Sequence, residues 1–300
     1  MTATFAGPIG TPVMPPAATP ISRNINAEST EGPCYSKPAM STGSEPAPGS
    51  QALSAGPTVT WLGHATAVAQ LGTSRFVFDP LFRSRARAAG RVDAVLVTHS
   101  HVDHLNRWSL KVIDRDTHLV VPRGAKHIVA DLGFREVTEV SPGDTLSIGG
   151  SEVHAVETRH DQGRWSKAAT IQALGYVVQQ DGIAVHHAGD VDFSDHSVFD
   201  DIGKKFSLAA SLLPIGGMMP VWYYRWKRAK LDSGVHIDPD CALDIYQRLG
   251  ARTMVPVHWG SVHIPLSPAV MAKRRLLQVA SVRQIGGVEV LAHGESLALR

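Results

Sequence analysis

Cysteine is scarce in this 300-residue chain: Cys34 and Cys241 are the only two. Two are too few for a disulfide framework, which fits a reducing compartment. No apolar run approaches the ~20 residues needed to span a bilayer, so no transmembrane helix is expected. Neither sign of charge dominates. Lys and Arg number 29 against 27 Asp and Glu, a net charge of +2, which lacks the basic footprint of a chain that wraps nucleic acid. The opening residues, Met1-Thr2-Ala3-Thr4-Phe5, have no basic start and no hydrophobic segment behind them, so a cytoplasmic protein without a secretory leader is expected. Hydrophobic residues at 43% and charged residues at 19% sit near the globular average, which excludes a wholly disordered chain, a collagen and a coiled coil.

Residues 1–57 read differently from the rest. They hold 10 of the 19 prolines and no aspartate, with no periodic apolar face, so they are expected to be a disordered tail ahead of a folded domain at 58–300. Within that domain short β-rich runs alternate with turns. Strands are expected at Val59–Leu62, Phe76–Phe78, Ala94–Thr98, His118–Val121, Val153–Thr158, Tyr176–Val178, Ile183–Ala188, Leu208–Leu213 and Thr253–Val257. Helices are expected at Arg123–Leu132, stopped by Gly133, and at Pro239–Leu249. The second has Asp238 as N-cap, Pro239 at the first helical position and Gly250 as the stop. A third is expected to start at Ser267-Pro268 and run through Leu277. Two sheets covered by helices accommodate this order.

What is abundant is histidine: fifteen residues, all at or after His64. The densest segment is Val95-Leu96-Val97-Thr98-His99-Ser100-His101-Val102-Asp103-His104, an apolar strand running into a loop with three imidazoles and a carboxylate in six positions. His99 and His101 can point the same way to grip one metal, and Asp103 and His104 can bend back onto a second. Imidazole plus carboxylate suits zinc or another first-row divalent ion.

This His-x-His-x-Asp-His loop resembles that of the metallo-β-lactamase superfamily, which implies an αββα sandwich of two sheets flanked by helices. The resemblance also completes a ligand set. It implies His99, His101 and His160 on one metal, Asp103, His104 and His258 on the other, and Asp190 bridging them. Each of the later three ends an apolar strand, in Thr158-Arg159-His160, Ala188-Gly189-Asp190 and Pro256-Val257-His258. The implied cofactor is a zinc pair, with manganese or iron as substitutes. Asp79, before Pro80, matches a position that supports a metal-binding histidine in the superfamily; it reads equally well as an Asp-Pro turn residue. His64 is open in the same way. His186 and His187 alternate within one strand and are read, like His154, as structural rather than as ligands.

The segments Trp61-Leu62-Gly63-His64-Ala65-Thr66, Phe78-Asp79-Pro80-Leu81-Phe82, Leu213-Pro214-Ile215-Gly216, His236-Ile237-Asp238-Pro239 and His258-Trp259-Gly260 look like the N-acylphosphatidylethanolamine-hydrolysing phospholipase D branch. That branch is similar in its core to the L-ascorbate-6-phosphate lactonases. The resemblance implies a phosphodiesterase acting on a small-molecule or lipid phosphodiester, with Asp103, Asp190 and His236 as catalytic side chains. His236 immediately precedes a helix N-terminus, a place that favours anionic groups. The sequence departs from the branch at Val191, at Asp240-Cys241, at Ser261-Val262 and in the long stretch between Pro220 and His236, all where substrate is selected. In that stretch Trp222, Tyr224 and Trp226 interleave with basic residues and are expected to form a substrate lip with peripheral membrane contact. A lactonase of the same fold and a non-catalytic metal-binding regulator are the alternatives. Self-association is compatible with all three.

Overall fold

A computed structural model describes residues 56–160, 171–217, 236–261 and 269–300. The strands are β1 (Thr58–Gly63), β2 (Thr66–Leu71), β3 (Ser74–Phe78), β4 (Ala94–Leu96), β5 (His118–Pro122), β6 (Val137–Val140), β7 (Thr145–Ile148), β8 (Ser151–Glu157), β9 (Leu174–Gln180), β10 (Ile183–His187), β11 (Leu208–Pro214), β12 (Thr253–Val257) and β13 (Ser296–Ala298). The α-helices are α1 (Arg83–Ala88), α2 (Arg107–Leu110), α3 (Lys126–Val129), α4 (Ser197–Lys205), α5 (Pro239–Leu249) and α6 (Ala269–Val282). One sheet has the order β13-β1-β2-β3-β4-β5-β6 and the other β12-β11-β10-β9-β8-β7. Both are mixed. β3 to β6 run parallel, as do β10 to β12, while β1-β2-β3 and β7 to β10 pair antiparallel.

Side-chain alternation divides the apolar residues into three layers of core. Phe76, Phe78 and Leu96 from the first sheet meet Tyr176, Val185 and Leu212 from the second in a central layer. Their odd-numbered neighbours Val77, Val95 and Val97 turn outward to pack with Ala86, Leu110 and Val129 from the first three helices. On the far side Val177, Ala184 and Met254 pack with Phe199, Leu243, Ile245 and Leu276. Helices therefore cover both outer faces of a two-sheet sandwich, the αββα arrangement. It is also why the parallel strands are nearly continuous apolar runs: both faces of each are buried.

Helix α5 spans the residues that its sequence punctuation predicts. The Asp238 carboxylate accepts from the Cys241 N–H at 2.9 Å, Pro239 opens the helix, and Gly250 closes it at φ 58°. The helix predicted at Arg123–Leu132 is shorter, an α turn at Lys126–Val129 followed by a 3-10 turn at Ala130–Leu132. Arg123 N–H donates to the Val140 carbonyl at 2.8 Å, and Glu139 Oε1 accepts from Gly124 and Lys126 N–H. The neighbouring strand thus holds the first residues of that segment out of the helix. The tail at 1–55, the start predicted for the last helix at 267–268 and the aromatic stretch at 222–230 lie outside the described residues. Among the described residues no helix is long and apolar enough to cross a membrane.

Candidate metal centre

The metal-binding side chains gather where β4, β8, β10 and β12 end and where β1 turns into β2. Beyond β4 the chain leaves its sheet at Val97-Thr98 and doubles back, with His104 and Leu105 N–H both donating to the His101 carbonyl. Asn106 then caps α2 through the Ser109 N–H. This tight turn directs His99 and His101 to one side and Asp103 and His104 to the other.

At the centre stands Asp190, whose side chain is 1% exposed. Its Oδ2 lies 3.2 Å from His104 Nε2, 3.4 Å from His236 Nδ1, 3.6 Å from His99 Nε2 and 3.8 Å from His160 Nε2. Its Oδ1 lies 3.2 Å from His258 Nε2. The ligand atoms fall into overlapping groups, each with its atoms within 4.8 Å of one another. These are His99, His101, His160 and Asp190; His64, Asp103, His104 and His258; and Asp190, His236 and His258. His99 Nε2, His104 Nε2, His258 Nε2 and both Asp190 oxygens are buried without a hydrogen-bond partner. Orphaned buried polar atoms are costly in a protein interior. Aimed at a common point and drawn from imidazoles and a carboxylate, they fit divalent metal ions.

A second layer of bonds fixes which nitrogen of each imidazole faces that point. Asp79 is fully buried; its Oδ1 accepts from the Thr98 N–H at 2.8 Å and its Oδ2 from the Thr98 hydroxyl at 2.7 Å and from His104 Nδ1 at 2.8 Å. Since the Thr98 hydroxyl spends its proton on Asp79, its oxygen accepts from His99 Nδ1 at 3.0 Å. Both imidazoles thereby carry hydrogen on Nδ1 and turn Nε2 inward, the orientation a metal ligand needs. Of the two readings left open for Asp79, the structure shows histidine support as well as a turn before Pro80. Thr98 was not singled out from the sequence; its one signal is its place between an apolar strand and the first histidine.

The electrostatics follow from burial among like and unlike charges. Burial alone would raise the Asp190 carboxyl, but His104 and His258 outweigh it and hold it well below the carboxylate range. Burial likewise works against a charge on His104, and Asp190 and Asp79 overcome it, holding that imidazole well above its ordinary value. Burial and then His104 hold His99 well below its ordinary value, and burial brings His160 to about 3. A cation entering the centre replaces a proton on His104, so its uptake is coupled to pH.

His236 is placed by an antiparallel bridge to Asp192; expected as a catalytic side chain that protonates the leaving group or binds an anionic oxygen, it also falls into a ligand group with Asp190 and His258. His64 stands beside Asp103, with Nε2 3.0 Å from Oδ2. His187 stacks on Phe78 in the central core while His186 meets Phe199 in the outer one, opposite faces as alternation requires. Neither belongs to a ligand group. His154 bonds Thr145 across β7 and β8. Trp222, Tyr224 and Trp226 lie outside the described residues.

Comparison with known proteins decides the family. The family model described as "Beta-lactamase superfamily domain" matches residues 67–259. The chain belongs to the metallo-β-lactamase superfamily. It is 30% identical over 207 residues to a "UPF0173 metal-dependent hydrolase" of Methanoregula boonei, covering 68% of this chain and 82% of that one. It is 28% identical over 244 residues to "N-acyl-phosphatidylethanolamine-hydrolyzing phospholipase D 1" of Caenorhabditis elegans, covering 67% of this chain and 63% of that one. In fold it is similar to Igni18, a metallo hydrolase from Ignicoccus hospitalis, with a TM-score of 0.63, 20% identity and coverage of 81% and 98%. The chain is a metal-dependent hydrolase of this superfamily, with His/Asp clusters able to bind metal ions.

Proposed function

We propose that this hydrolase is a phosphodiesterase acting on an organic phosphodiester of the N-acylphosphatidylethanolamine kind, with a zinc pair as its resident cofactor and manganese or iron as substitutes. His99, His101 and His160 hold one ion, Asp103, His104 and His258 the other, and Asp190 serves both. Such a pair supplies Lewis acidity and an activated water at neutral pH.

The observation that carries the choice of substrate is the charge of the centre. Its ligand groups contain two carboxylates, Asp103 and Asp190, and otherwise only imidazoles. Those two carboxylates neutralise only half of the four positive charges of two divalent ions, so the loaded centre stays cationic even when its water is deprotonated. A cationic centre favours an anionic phosphodiester over a neutral lactone. Asp190 orients the reacting groups. Asp103 has a 33% exposed side chain, open to an approaching substrate. His236, with a 23% exposed side chain, holds an anionic oxygen or passes a proton to the leaving group. Trp222, Tyr224 and Trp226 form the lip that takes an acyl chain or lipid surface. The catalytic unit is 58–300, with 1–57 a dispensable tail, working in the cytoplasm without a nucleic-acid partner.

One panel tests this. Zinc-loaded protein is assayed against bis-aryl phosphodiesters, N-acyl phospholipids, lactones and a cephalosporin. Turnover of the two phosphodiester classes in preference to the others, abolished by chelation, is the expected result. Turnover confined to lactones overturns the assignment in favour of the alternative.

A further inference from the structure

The turn Gly63-His64-Ala65-Thr66 between β1 and β2 contributes nothing to the ligand set just proposed, yet each of its last three residues is tied to a different ligand-bearing loop. Thr66 Oγ1 donates to the Asp79 carbonyl at 2.8 Å and accepts from the Leu81 N–H at 2.9 Å, fixing the carboxylate that supports His104. The Ala65 carbonyl accepts from His187 Nε2 at 2.8 Å. His187 Nδ1 in turn accepts from the Gly189 N–H at 3.1 Å, next to Asp190. His64 makes the most connections. Its N–H donates to Ser261 Oγ at 2.7 Å, and its carbonyl accepts from Trp61 Nε1 at 2.8 Å and from the His258 N–H at 2.9 Å. Its ring lies 4.0 Å from that of His258, and its Nε2 lies 3.0 Å from Asp103 Oδ2. The residue is buried and sits at φ 54°, left-handed backbone that a side chain with a Cβ adopts at a cost.

A carboxylate oxygen only accepts, so the nitrogen facing Asp103 carries the proton. A protonated nitrogen has no lone pair for a metal. We infer that His64 is a positioning residue: it donates from Nε2 to Asp103 Oδ2, braces His258 through its backbone, and so sets the affinity of the second ion without ligating it. Asp103 Oδ2, which also faces His258 Nε2 at 3.5 Å and His104 Nε2 at 3.8 Å, keeps its second lone pair for the ion and gains a fixed rotamer, as an outer hydrogen bond does for a ligating carboxylate. The inference rests on the reading of the clusters as two ion sites and is independent of the substrate.

Two variants separate this role from ligation and from folding. In His64→Gln the amide nitrogen stands four bonds from Cα, as Nε2 does, and can still donate to Asp103. In His64→Asn the amide stands three bonds out and falls short, while asparagine accepts left-handed backbone as readily as histidine. Chelator-treated protein is titrated calorimetrically with zinc, and its unfolding midpoint is measured without metal. Wild type should take up two ions. His64→Asn should bind one of them about 10- to 100-fold more weakly, with a metal-free unfolding midpoint close to wild type, and His64→Gln should recover most of that affinity. If Gln and Asn both bind a single ion, His64 is a ligand and the inference fails. It fails equally if His64→Asn binds two ions as wild type does. A wild type that takes up fewer than two ions overturns the two-site reading, and this inference with it.

Discussion

The support that Asp79 gives to His104 can be removed without emptying the space it occupies. In Asp79→Asn the amide oxygen can still accept from the Thr98 N–H, now 2.8 Å from Oδ1. The amide nitrogen replaces Oδ2, so a donor meets the Thr98 hydroxyl and His104 Nδ1, which lie 2.7 Å and 2.8 Å from that oxygen. Both can adapt. The hydroxyl rotates to accept, and His104 gives up its Nδ1 proton and keeps the one on Nε2. Charge-assisted bonds become neutral ones, a loss of about 1–2 kcal/mol, or roughly 2–8 °C in the metal-free unfolding midpoint for a domain of this size. Metal affinity should suffer more. The one proton left is then fixed on the nitrogen that faces Asp190 at 3.2 Å, and loss of this kind of support weakens binding about 10- to 100-fold. Asp79→Ala reverses the balance, leaving three buried donors unpaired at ~1–3 kcal/mol each. Scanning calorimetry of metal-free protein, with zinc competition against a chromophoric chelator, reads both quantities. An Asn variant with wild-type zinc affinity, or one that unfolds together with the Ala variant, would refute the reasoning.

Two further outcomes are expected. Asp190→Asn keeps the size of the central side chain but removes the charge that five imidazoles surround, so hydrolysis should fall on the order of 10²-fold or more with the fold retained; near-native turnover would show that another group serves both ions. His186 is fully buried, its Nδ1 2.9 Å from Ser211 Oγ, and burial brings its pKa down to about 3. Because the folded value lies below the unfolded one, only the unfolded chain takes up this proton between pH 6.5 and 3. Stability should therefore fall with decreasing pH across that window, by on the order of 1 kcal/mol per pH unit from this group. His186→Asn, which can still bond Ser211, should flatten urea-unfolding free energies plotted from pH 7 to 4 by one proton; an unchanged slope would refute it.

Local chemistry was legible where it was sufficient. Asp238, Pro239 and Gly250 bound α5 because a cap, a fixed φ and a left-handed stop act within a few residues. The buried parallel strands were legible as apolar runs for the same reason. Strands whose existence depends on a distant partner were not. β13 is three residues held against β1 from the far end of the chain, and β6 is a four-residue edge strand whose partner β5 lies on the other side of α3. Helix α3 is curtailed by Glu139, a side chain on β6 that no reading of Arg123–Leu132 contains.

The same division runs through the metal centre. His99, His101, Asp103 and His104 could be picked out because four ligand-type side chains crowd six positions after an apolar strand, and His160, Asp190 and His258 because the resemblance to the superfamily calls for them at the ends of later apolar strands. What sets their orientation could not, because it is made of bonds between loops remote in sequence: His64 to Asp103, Thr98 to Asp79, Ser261 to His64. Backbone conformation was equally hidden. His64, Asp79 and His258 sit at φ 54°, 41° and 59°, where no glycine marks the place, at a cost of roughly 1–3 kcal/mol each. Such conformations persist only where the surroundings over-determine them, and here they do. His64 is bonded through its N–H, its carbonyl and its ring, Asp79 through its N–H, its carbonyl and both carboxylate oxygens, and His258 through its N–H to His64. The bonds that hold the strained backbone are thus the bonds that aim the imidazole nitrogens and the Asp103 carboxylate. Relaxing the strain at any of the three, for instance by letting the β1–β2 turn adopt an ordinary conformation, would release the ligands with it.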